Sequence, residues 1–330
     1  MKLKAWCNNK LFHCLGMVQE PWYTLINKLA NAWILLRNPE KVTHPGTLYS
    51  DKTFYVIRDL PSGVGLAGWY DRVVGYMLRA KKKGWIPIVV PPKNSMLGDE
   101  REGRGNWYSY FSVISPYNQL DVGKFANTVE AVVHGVIHKR YNRSVIRARH
   151  DISKNICLNL EANKFVESHL CEIFGQIIGR PLVGVYFRGT DYRNVGKWKP
   201  IGHAAVPRYE VFCEKVENAL RRWGVPIDEG RNLFVVTEEQ EALDYLVSRY
   251  PLMSYVKKPR FVNFNFGTAL PYQTPGNLSF RENNLLYLVD IYALARCDYL
   301  IGGVNGGVLM ALNLNGNRYR GVQIMNTGVN

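Results

Sequence analysis

The chain has 330 residues, more than one hydrophobic core usually fills, so its length favours two domains. Its 42 Lys and Arg exceed its 27 Asp and Glu, and the net charge of +15 predicts an anionic partner: a nucleic acid, an anionic lipid surface or a phosphorylated small molecule. The six cysteines form no CxxC pair and no framework spacing, which argues against a disulfide-stapled domain and favours reduced thiols in the cytoplasm.

No apolar run is long enough to predict a membrane-spanning helix, and the first residues lack the zones of a signal peptide. The most apolar segment near the start is TLINKLANAWILL, residues 24–36, with basic residues on both sides. Its pattern favours a helix packed on the core, and a helix lying on an anionic membrane is the alternative. We therefore expect a cytoplasmic protein. Peripheral contact of this protein with the inner face of the membrane is the alternative.

The first half contains a strand, helix, strand unit, which is the building block of a parallel sheet. Residues 53–60 predict a strand, 61–68 a tight turn, 69–84 a helix and 85–90 a second strand.

Less regular sequence follows this unit. Residues 91–120 mix charges, glycines and aromatics and predict a long functional loop. Helices are predicted around 123–138 and 160–178, with the basic stretch 139–150 as the connection between them.

The second half alternates strands and helices more regularly. The predicted strands are 181–187, 231–237 and 298–303, and the predicted helices are 207–224, 237–249, 279–296 and 306–314. Two of these helices begin at potential capping boxes, formed by Thr237 with Gln240 and by Ser279 with Glu282. A loop rich in Pro, Gly and Asn covers 257–278.

This alternation predicts an α/β fold with two Rossmann-like parallel-sheet domains facing a cleft. We place the N-terminal domain at residues 1–165 and the C-terminal domain at residues 166–330, since the pattern changes between 150 and 180.

Gly63, Gly65 and Gly68 match the dinucleotide-binding pattern GxGxxG between a strand and a helix. A nicotinamide site also needs an acidic residue at the tip of the second strand, where this sequence has Val90 followed by prolines and Lys93. We therefore prefer a turn that lets the backbone pass close to a ligand or a neighbouring strand. A nicotinamide-dependent oxidoreductase that uses this loop is the alternative enzyme.

Other kinds of site are excluded by their missing motifs. The sequence has no Walker A, HExxH, GxSxG or DxD motif, and the pair His134 and His138 lacks a third ligand nearby, so no metal site is predicted. A non-enzymatic nucleic-acid binder is a further alternative, but it depends on net charge alone because no binding module is recognisable.

Polar groups of complementary type follow three predicted strands of the second half, at the carboxyl ends where open parallel sheets bind ligands. They are Arg188 and Asp191, then Thr237 and Glu238, then the loop Asn305, Gly306 and Gly307, with Asp290 on the preceding helix. A guanidinium grips a diphosphate bidentately, helix-start N–H groups add donors, and carboxylates accept from ribose hydroxyls or base N–H groups. Asp191 would hold Arg188 through a charge-assisted bond, and a purely structural salt bridge is the alternative.

Three ordered blocks of the second half resemble the donor-site signature of the nodulation-type α-1,6-fucosyltransferases and their relatives, the α-1,2- and protein O-fucosyltransferases. The blocks are VGVYFRGTDYRNVG followed by GHAAVPRYEVF, then LFVVTEEQEALDYLVSRYP, then LVDIYALARCDYLIGGVNGG. Order and spacing hold over about 183–312, whereas the N-terminal half matches weakly.

The resemblance implies a GT-B-like, inverting, metal-independent glycosyltransferase without a cofactor. Its donor would be a GDP-sugar, by default GDP-fucose, held by the C-terminal half, and its acceptor a glycan hydroxyl, for example on a lipid-linked precursor of a surface polysaccharide. No nucleic-acid partner is expected.

Site roles also follow from the resemblance. Arg188 would bind the diphosphate, Asp290 the guanosine, and the loop from Asn305 to Gly307 the phosphate. His203 occupies the place of a carboxylate that is a candidate base in some relatives, and a histidine of near-neutral pKa suits that role. Tyr186 replaces a signature histidine that contacts the nucleotide, and Asn305 and Gly306 replace serines, so base and sugar identity stay open.

Overall fold

The computed structural model describes residues 29, 32–33, 36, 39–58, 65–90, 107–131, 143–175, 181–190, 206–265, 270, 273–303 and 305–325. Two separate four-stranded sheets dominate these ranges, each built mainly from parallel strands. The predicted α/β class with two parallel-sheet units is therefore confirmed.

The N-terminal sheet has the strand order β1-β5-β2-β3. Its strands are β1 (Val42–Thr43), β2 (Phe54–Ile57), β3 (Ile86–Val89) and β5 (Thr128–Glu130). Strands β5, β2 and β3 are parallel, whereas β1 pairs antiparallel with β5. Helix α1 (Leu66–Lys83) connects β2 to β3 and ends at Gly84 in the left-handed region, so the predicted strand, helix, strand unit is confirmed.

The C-terminal sheet is parallel throughout, in the order β10-β9-β7-β8. Its strands are β7 (Val183–Tyr186), β8 (Leu233–Val236), β9 (Tyr299–Gly303) and β10 (Gly321–Met325). Its helices are α4 (Tyr209–Trp223), α5 (Gln240–Arg249), α6 (Phe280–Arg296) and α7 (Gly306–Asn315). The three predicted strands and the four predicted helices are confirmed, and β10 is an additional strand after the last predicted helix.

Three predictions for residues 91–150 are wrong. Residues 128–130 form β5 rather than part of a helix, because a short run with β-branched residues fits the sheet equally well. Part of the basic stretch forms helix α2 (Arg143–Ser153). The predicted loop contains strand β4 (Phe111–Val113), which pairs antiparallel with β6 (Ile156–Leu158), because the aromatic residues of that loop are buried in the core.

Helix α3 (Leu160–Phe174) packs against α6 of the C-terminal unit. The domain boundary proposed at residues 165/166 falls inside this helix, and the division into 1–165 and 166–330 stays a prediction. One hydrophobic core is continuous between the two sheets and includes Tyr55 and Trp69 from one side and Leu288 and Val308 from the other.

The two capping-box predictions had different outcomes. Ser279 and Glu282 form the predicted reciprocal box at the start of α6. The box predicted for Thr237 and Gln240 is wrong, because the Thr237 hydroxyl accepts from the N–H of Glu239, at 3.3 Å, and the N–H of Gln240 donates to the carbonyl of Phe261.

Residues 24–36 are described at four positions, all of them helical and exposed: Leu29, Ala32, Trp33 and Leu36. The side chains of Leu29, Trp33 and Leu36 are 60, 52 and 81 % exposed, so the core-packing interpretation is wrong for them. None of the helices in the described ranges combines the length and apolar character that crossing a membrane requires.

Candidate active site

Arg188 lies just beyond the carboxyl end of β7 and makes an ion pair with Glu238, which follows β8. The Arg188 Nη1 donates to Glu238 Oε1 at 2.8 Å, and the side chains are 14 and 10 % exposed. Tyr186, the last residue of β7, donates its hydroxyl to the same carboxylate oxygen. Burial and the negative charge of Glu238 raise the pKa of Tyr186 well above its usual value, so the hydroxyl stays a donor.

The neighbouring backbone is fixed by the next carboxylate. Glu239 accepts from the N–H of Thr190, a buried residue with φ of 46°. A Cβ built on Gly189 would lie 2.1 Å from the Glu239 carboxyl carbon, so a side chain at that position would displace the Glu239 carboxylate. The turn that carries Arg188 is therefore held against the end of β8 by Glu238 and Glu239 together.

Helix α7 begins at the carboxyl end of β9 with Asn305 as its cap. The Asn305 side chain accepts from the N–H of Val308 at 3.0 Å, as expected at a helix start. The N–H groups of Gly306 and Gly307, in the first turn, have no acceptor within the helix. A Cβ on Gly307 would lie 2.4 Å from Tyr186 Cε1 and 2.8 Å from the Tyr287 hydroxyl, so this loop packs directly on the site.

Helix α1 of the other unit begins beside α7. Its cap is Gly65, which offers no side-chain acceptor, and the first turn holds no acidic residue. A Cβ built on Gly306 would lie 3.3 Å from Ala67 Cβ and 3.8 Å from the Gly68 nitrogen. Because both helices start at the carboxyl edge of their sheets, the two edges face each other, as predicted.

This contact brings two positive helix ends together. The N-terminus of a helix carries a partial positive charge, so the ends of α1 and α7 repel each other unless an anion lies nearby. Helix N-termini with free N–H groups and glycines in the first turn are suited to phosphate groups. Gly65 and Gly68, two of the three glycines of the GxGxxG pattern, are thus part of the site's wall, with Gly68 in the helix rather than in the predicted turn.

Asp290 lies on α6 and is paired with Lys258. The Lys258 ammonium contacts Asp290 Oδ2, and the side chains are 5 and 2 % exposed. Burial raises the pKa of Asp290, and the Lys258 charge opposes that shift. Within the described ranges, Asp290 Oδ1 and Glu238 Oε2 are buried oxygens without a hydrogen-bond partner. A ligand that donates N–H or O–H groups would satisfy them.

Three predicted site residues lie outside the described residues: Gly63, Asp191 and His203. Their roles stay predictions. The structure brings together Tyr186, Arg188 and Glu238, places Thr237 beside them, and lines the facing helix starts with Gly65, Asn305, Gly306 and Gly307.

Sequence reasoning missed Lys258 and Arg260, which lie in the segment predicted as a loop. Both are buried, and Arg260 donates three hydrogen bonds to backbone carbonyls. The only signal in the sequence was the cluster KKPR, and such basic clusters are more typical of a solvated surface.

In the described ranges, no group of three or more His, Cys, Asp or Glu side chains is arranged to hold a metal ion.

Comparison with protein-family models and with curated proteins finds no match. Solved structures do match. The α-1,6-fucosyltransferase NodZ soaked with GDP-fucose aligns with a TM-score of 0.49 and 15 % identity, over 79 % of this chain and 91 % of that chain. Fucosyltransferase NodZ from Bradyrhizobium gives 0.48 and 15 %, over 79 and 92 %. POFUT1 in its apo form gives 0.34 and 9 %, over 85 and 76 %.

These neighbours are of the same kinds that the sequence motifs resemble. Every one of these TM-scores is below 0.5.

Proposed function

We propose that the protein is a fucosyltransferase-like glycosyltransferase that moves a sugar from a GDP-sugar, by default GDP-fucose, to a glycan hydroxyl with inversion and without a metal ion. The observation that carries the proposal is the position of Arg188. It lies, 14 % exposed, at the carboxyl edge of a parallel sheet, and it shares Glu238 with Tyr186, which packs against Gly307 in the first turn of α7.

A diphosphate matches this arrangement in charge and geometry. Its two negative groups would be stabilised by the Arg188 guanidinium and by N–H groups of the two helix starts, including those of Gly306 and Gly307. The same groups favour the transition state, because negative charge accumulates on the diphosphate as the bond to the sugar breaks. Preorganised donors stabilise that charge without reorganising.

The nucleoside part of the donor would be bound by carboxylates. Glu238 and Asp290 each have one oxygen without a partner among the described residues, and these oxygens are acceptors for ribose hydroxyls or for the N–H groups of a base. In the proposed reaction the acceptor hydroxyl attacks the anomeric carbon and gives its proton to His203, while the diphosphate leaves with the electrons of the broken bond.

The proposal assigns the donor to residues 166–330 and the acceptor to residues 1–165. A lipid-linked glycan acceptor would explain the net charge of +15, since the positive charge would bring the enzyme from the cytoplasm to an anionic membrane surface.

A binding panel tests the donor assignment. GDP, GDP-fucose, GDP-mannose, UDP-galactose and NADH are titrated into the protein by calorimetry, once with a chelator and once with Mg²⁺. We expect GDP and at least one GDP-sugar to bind equally well with and without chelator. Binding of NADH but not GDP would instead support the oxidoreductase, and a steep salt dependence of binding to an arbitrary DNA duplex would support the nucleic-acid binder.

A transfer assay tests the reaction itself. The purified protein is incubated with the GDP-sugar that binds and a panel of oligosaccharides, and GDP release and product linkage are measured. Inversion predicts a β-linked product from a donor whose sugar is α-linked, or the reverse. Retention of the anomeric configuration would contradict the proposal.

A further inference from the structure

Arg260 is a buried arginine whose hydrogen bonds all reach the backbone. It is 6 % exposed, and its guanidinium lies 5.3 Å from the centroid of the Tyr255 ring. Its Nε donates to the carbonyl of Thr237 at 3.1 Å, Nη1 to Lys258 at 3.0 Å and Nη2 to Val256 at 3.0 Å. Burial lowers its pKa from the ordinary value, and the nearby Asp290 carboxylate opposes that shift.

These three acceptors come from two chain segments. Two of them belong to residues 256–261, and the third is the residue immediately before Glu238. The same two segments are joined by backbone bonds from Phe261 N to the Glu238 carbonyl at 2.9 Å and from Gln240 N to the Phe261 carbonyl at 3.0 Å. Arg260 therefore holds residues 256–261 as an extended segment against the end of β8.

Residues 256–261 are tied to the fold on a second side. Lys258, in the middle of this segment, forms the buried pair with Asp290 on α6. The segment thus connects the helix that carries Asp290 with the backbone that carries Glu238. An arginine is needed to bind the carbonyls of Thr237, Lys258 and Val256 together. The planar guanidinium presents several N–H groups in a fixed fork, whereas a lysine ammonium does not reach three carbonyls in this way.

We propose that Arg260 is a positioning residue for Arg188. Arg260 holds the backbone on the amino side of Glu238, Glu238 then places its carboxylate at 2.8 Å from Arg188 Nη1, and Arg188 is held toward the diphosphate. This inference rests on the proposed function, because it assumes that Arg188 binds the diphosphate of the donor. Arg260 itself does not touch the ligand.

Two substitutions separate geometry from charge. Arg260→Met removes the guanidinium, whereas Arg260→Lys keeps the positive charge and most of the volume. We expect both to weaken GDP binding by about tenfold, which is the loss of about one charge-assisted hydrogen bond. Guanosine lacks the diphosphate, so it would be affected only by the displaced Glu238 carboxylate and should lose affinity by a smaller factor than GDP. Both affinities are measured by competition against a fluorescent GDP analogue. The matched control Arg249→Met removes a half-exposed arginine of α5 in the same unit and should change neither affinity.

A double-mutant cycle tests whether the effect passes through Glu238. Glu238→Gln alone should weaken GDP binding, and adding Arg260→Met should weaken it little further, because coupled residues are not additive. Full GDP affinity in Arg260→Lys would show that only charge matters and would overturn the inference. An equal loss of guanosine and GDP would show general damage and would overturn it as well.

Hydrogen exchange tests the positioning without a ligand. In both Arg260 variants the amides of Gln240 and Phe261 should lose protection relative to wild type, while the amides of the interior of α6 keep theirs. Unchanged protection of those two amides would refute the inference even if the variants bind poorly. If the wild-type protein bound neither GDP nor guanosine, the proposed function would fail, and hydrogen exchange would still decide whether Arg260 fixes the backbone around Glu238.

Discussion

The two sheets place an arginine and a glutamate at the same topological position, with different results. In the N-terminal sheet Arg58 follows β2 and Glu130 ends the neighbouring β5, and their atoms are 3.3 Å apart with both side chains about half exposed (50 and 51 %). In the C-terminal sheet Arg188 and Glu238 follow the neighbouring strands β7 and β8 at 2.8 Å, with exposures of 14 and 10 %.

The difference shows that residue type and topology do not make a site by themselves. An exposed pair is screened by water and contributes about 0–1 kcal/mol to stability. A largely buried pair has lost its hydration, so its charges act strongly on any ligand that reaches them. At the second position Tyr186 donates to Glu238, and Glu239 accepts from the N–H of Thr190, so the fold supplies hydrogen-bond partners beside the pair.

Arg188→Ala should have the largest effect of any single change. We expect GDP affinity to fall by about 10- to 100-fold, because a charge-assisted contact is lost, and sugar transfer to fall by at least about 100-fold, because the charge on the leaving diphosphate is no longer stabilised. Calorimetry and GDP-release assays measure the two effects.

The matched control for that variant is Arg58→Ala, which removes the arginine at the equivalent position of the other sheet. It should leave GDP affinity within about twofold of wild type. Equal losses in both variants would show that net charge rather than position governs binding. An Arg188→Ala protein with normal turnover would remove the central role proposed for this side chain.

A second experiment tests whether burial alone makes an ion pair important for ligand binding. Arg149 on α2 and Asp71 on α1 form an ion pair with side-chain exposures of 3 and 7 %. Arg149→Met should lower the free energy of unfolding by about 3–5 kcal/mol, because it leaves a buried carboxylate without its charge partner. Urea denaturation measures the change, and Arg147→Met, at an exposed position of the same helix, is the control.

The result also separates stability from binding. The Arg149→Met protein, at temperatures where it is folded, should bind GDP like wild type, since Arg149 donates to Asp71 and lies on α2, which supplies none of the site residues. A specific loss of GDP affinity in the folded variant would contradict the assignment of this pair to stability alone.

A smaller effect tests the close packing around the C-terminal edge. Gly307→Ala would put a methyl group 2.4 Å from Tyr186 Cε1 and 2.9 Å from Ile291 Cδ1. Overpacking of this kind costs about 1–3 kcal/mol and should appear as a lower Tm. Gly123→Ala, where an added Cβ meets nothing within 4 Å, is the matched control and should not lower the Tm.

The sequence predicted that the site residues of the C-terminal sheet lie together, because parallel strands end at a common edge. Arg188, Glu238 and the loop from Asn305 to Gly307 each follow a regular apolar strand, so their meeting required only the topology. It did not predict that Lys258 and Arg260 are buried, because they lie in a segment without periodicity and are positioned by tertiary contacts.

The same reason explains the errors in the N-terminal half. Residues 128–130 carry a pattern that fits a helix or a strand, and only pairing with β1 and β2 decides between them. Arg149 belongs to the basic stretch that was predicted as a connection between helices, but its partner Asp71 is 78 positions away in the chain. Interactions over such distances leave no local signal in the sequence.

The smallest predicted effect concerns an ion pair of the N-terminal unit in which the Glu40 side chain is 5 % exposed and the Arg79 side chain 30 %. Glu40 accepts two hydrogen bonds from Arg79, at 2.6 and 2.7 Å, and one from the Tyr55 hydroxyl at 2.5 Å. Burial acts to raise the pKa of Glu40, but the bonds from Arg79 and Tyr55 outweigh it and hold the pKa below the ordinary value of 4.5. Glu40→Gln should therefore cost about 1 kcal/mol of stability at pH 7.

The sign of the pH dependence follows from that lowered pKa. The unfolded chain takes up the proton first as the pH falls, so the stabilisation by Glu40 is present above pH 4.5 and is lost as the pH passes down through the folded value. Urea unfolding at pH 7 and at pH 3.5 or below should show the difference between wild type and Glu40→Gln shrinking at the lower pH. Glu130→Gln, in the exposed pair with Arg58, should differ little from wild type at either pH. A Glu40→Gln deficit that stays constant with pH would mean that shape and packing, rather than charge, hold this residue to α1.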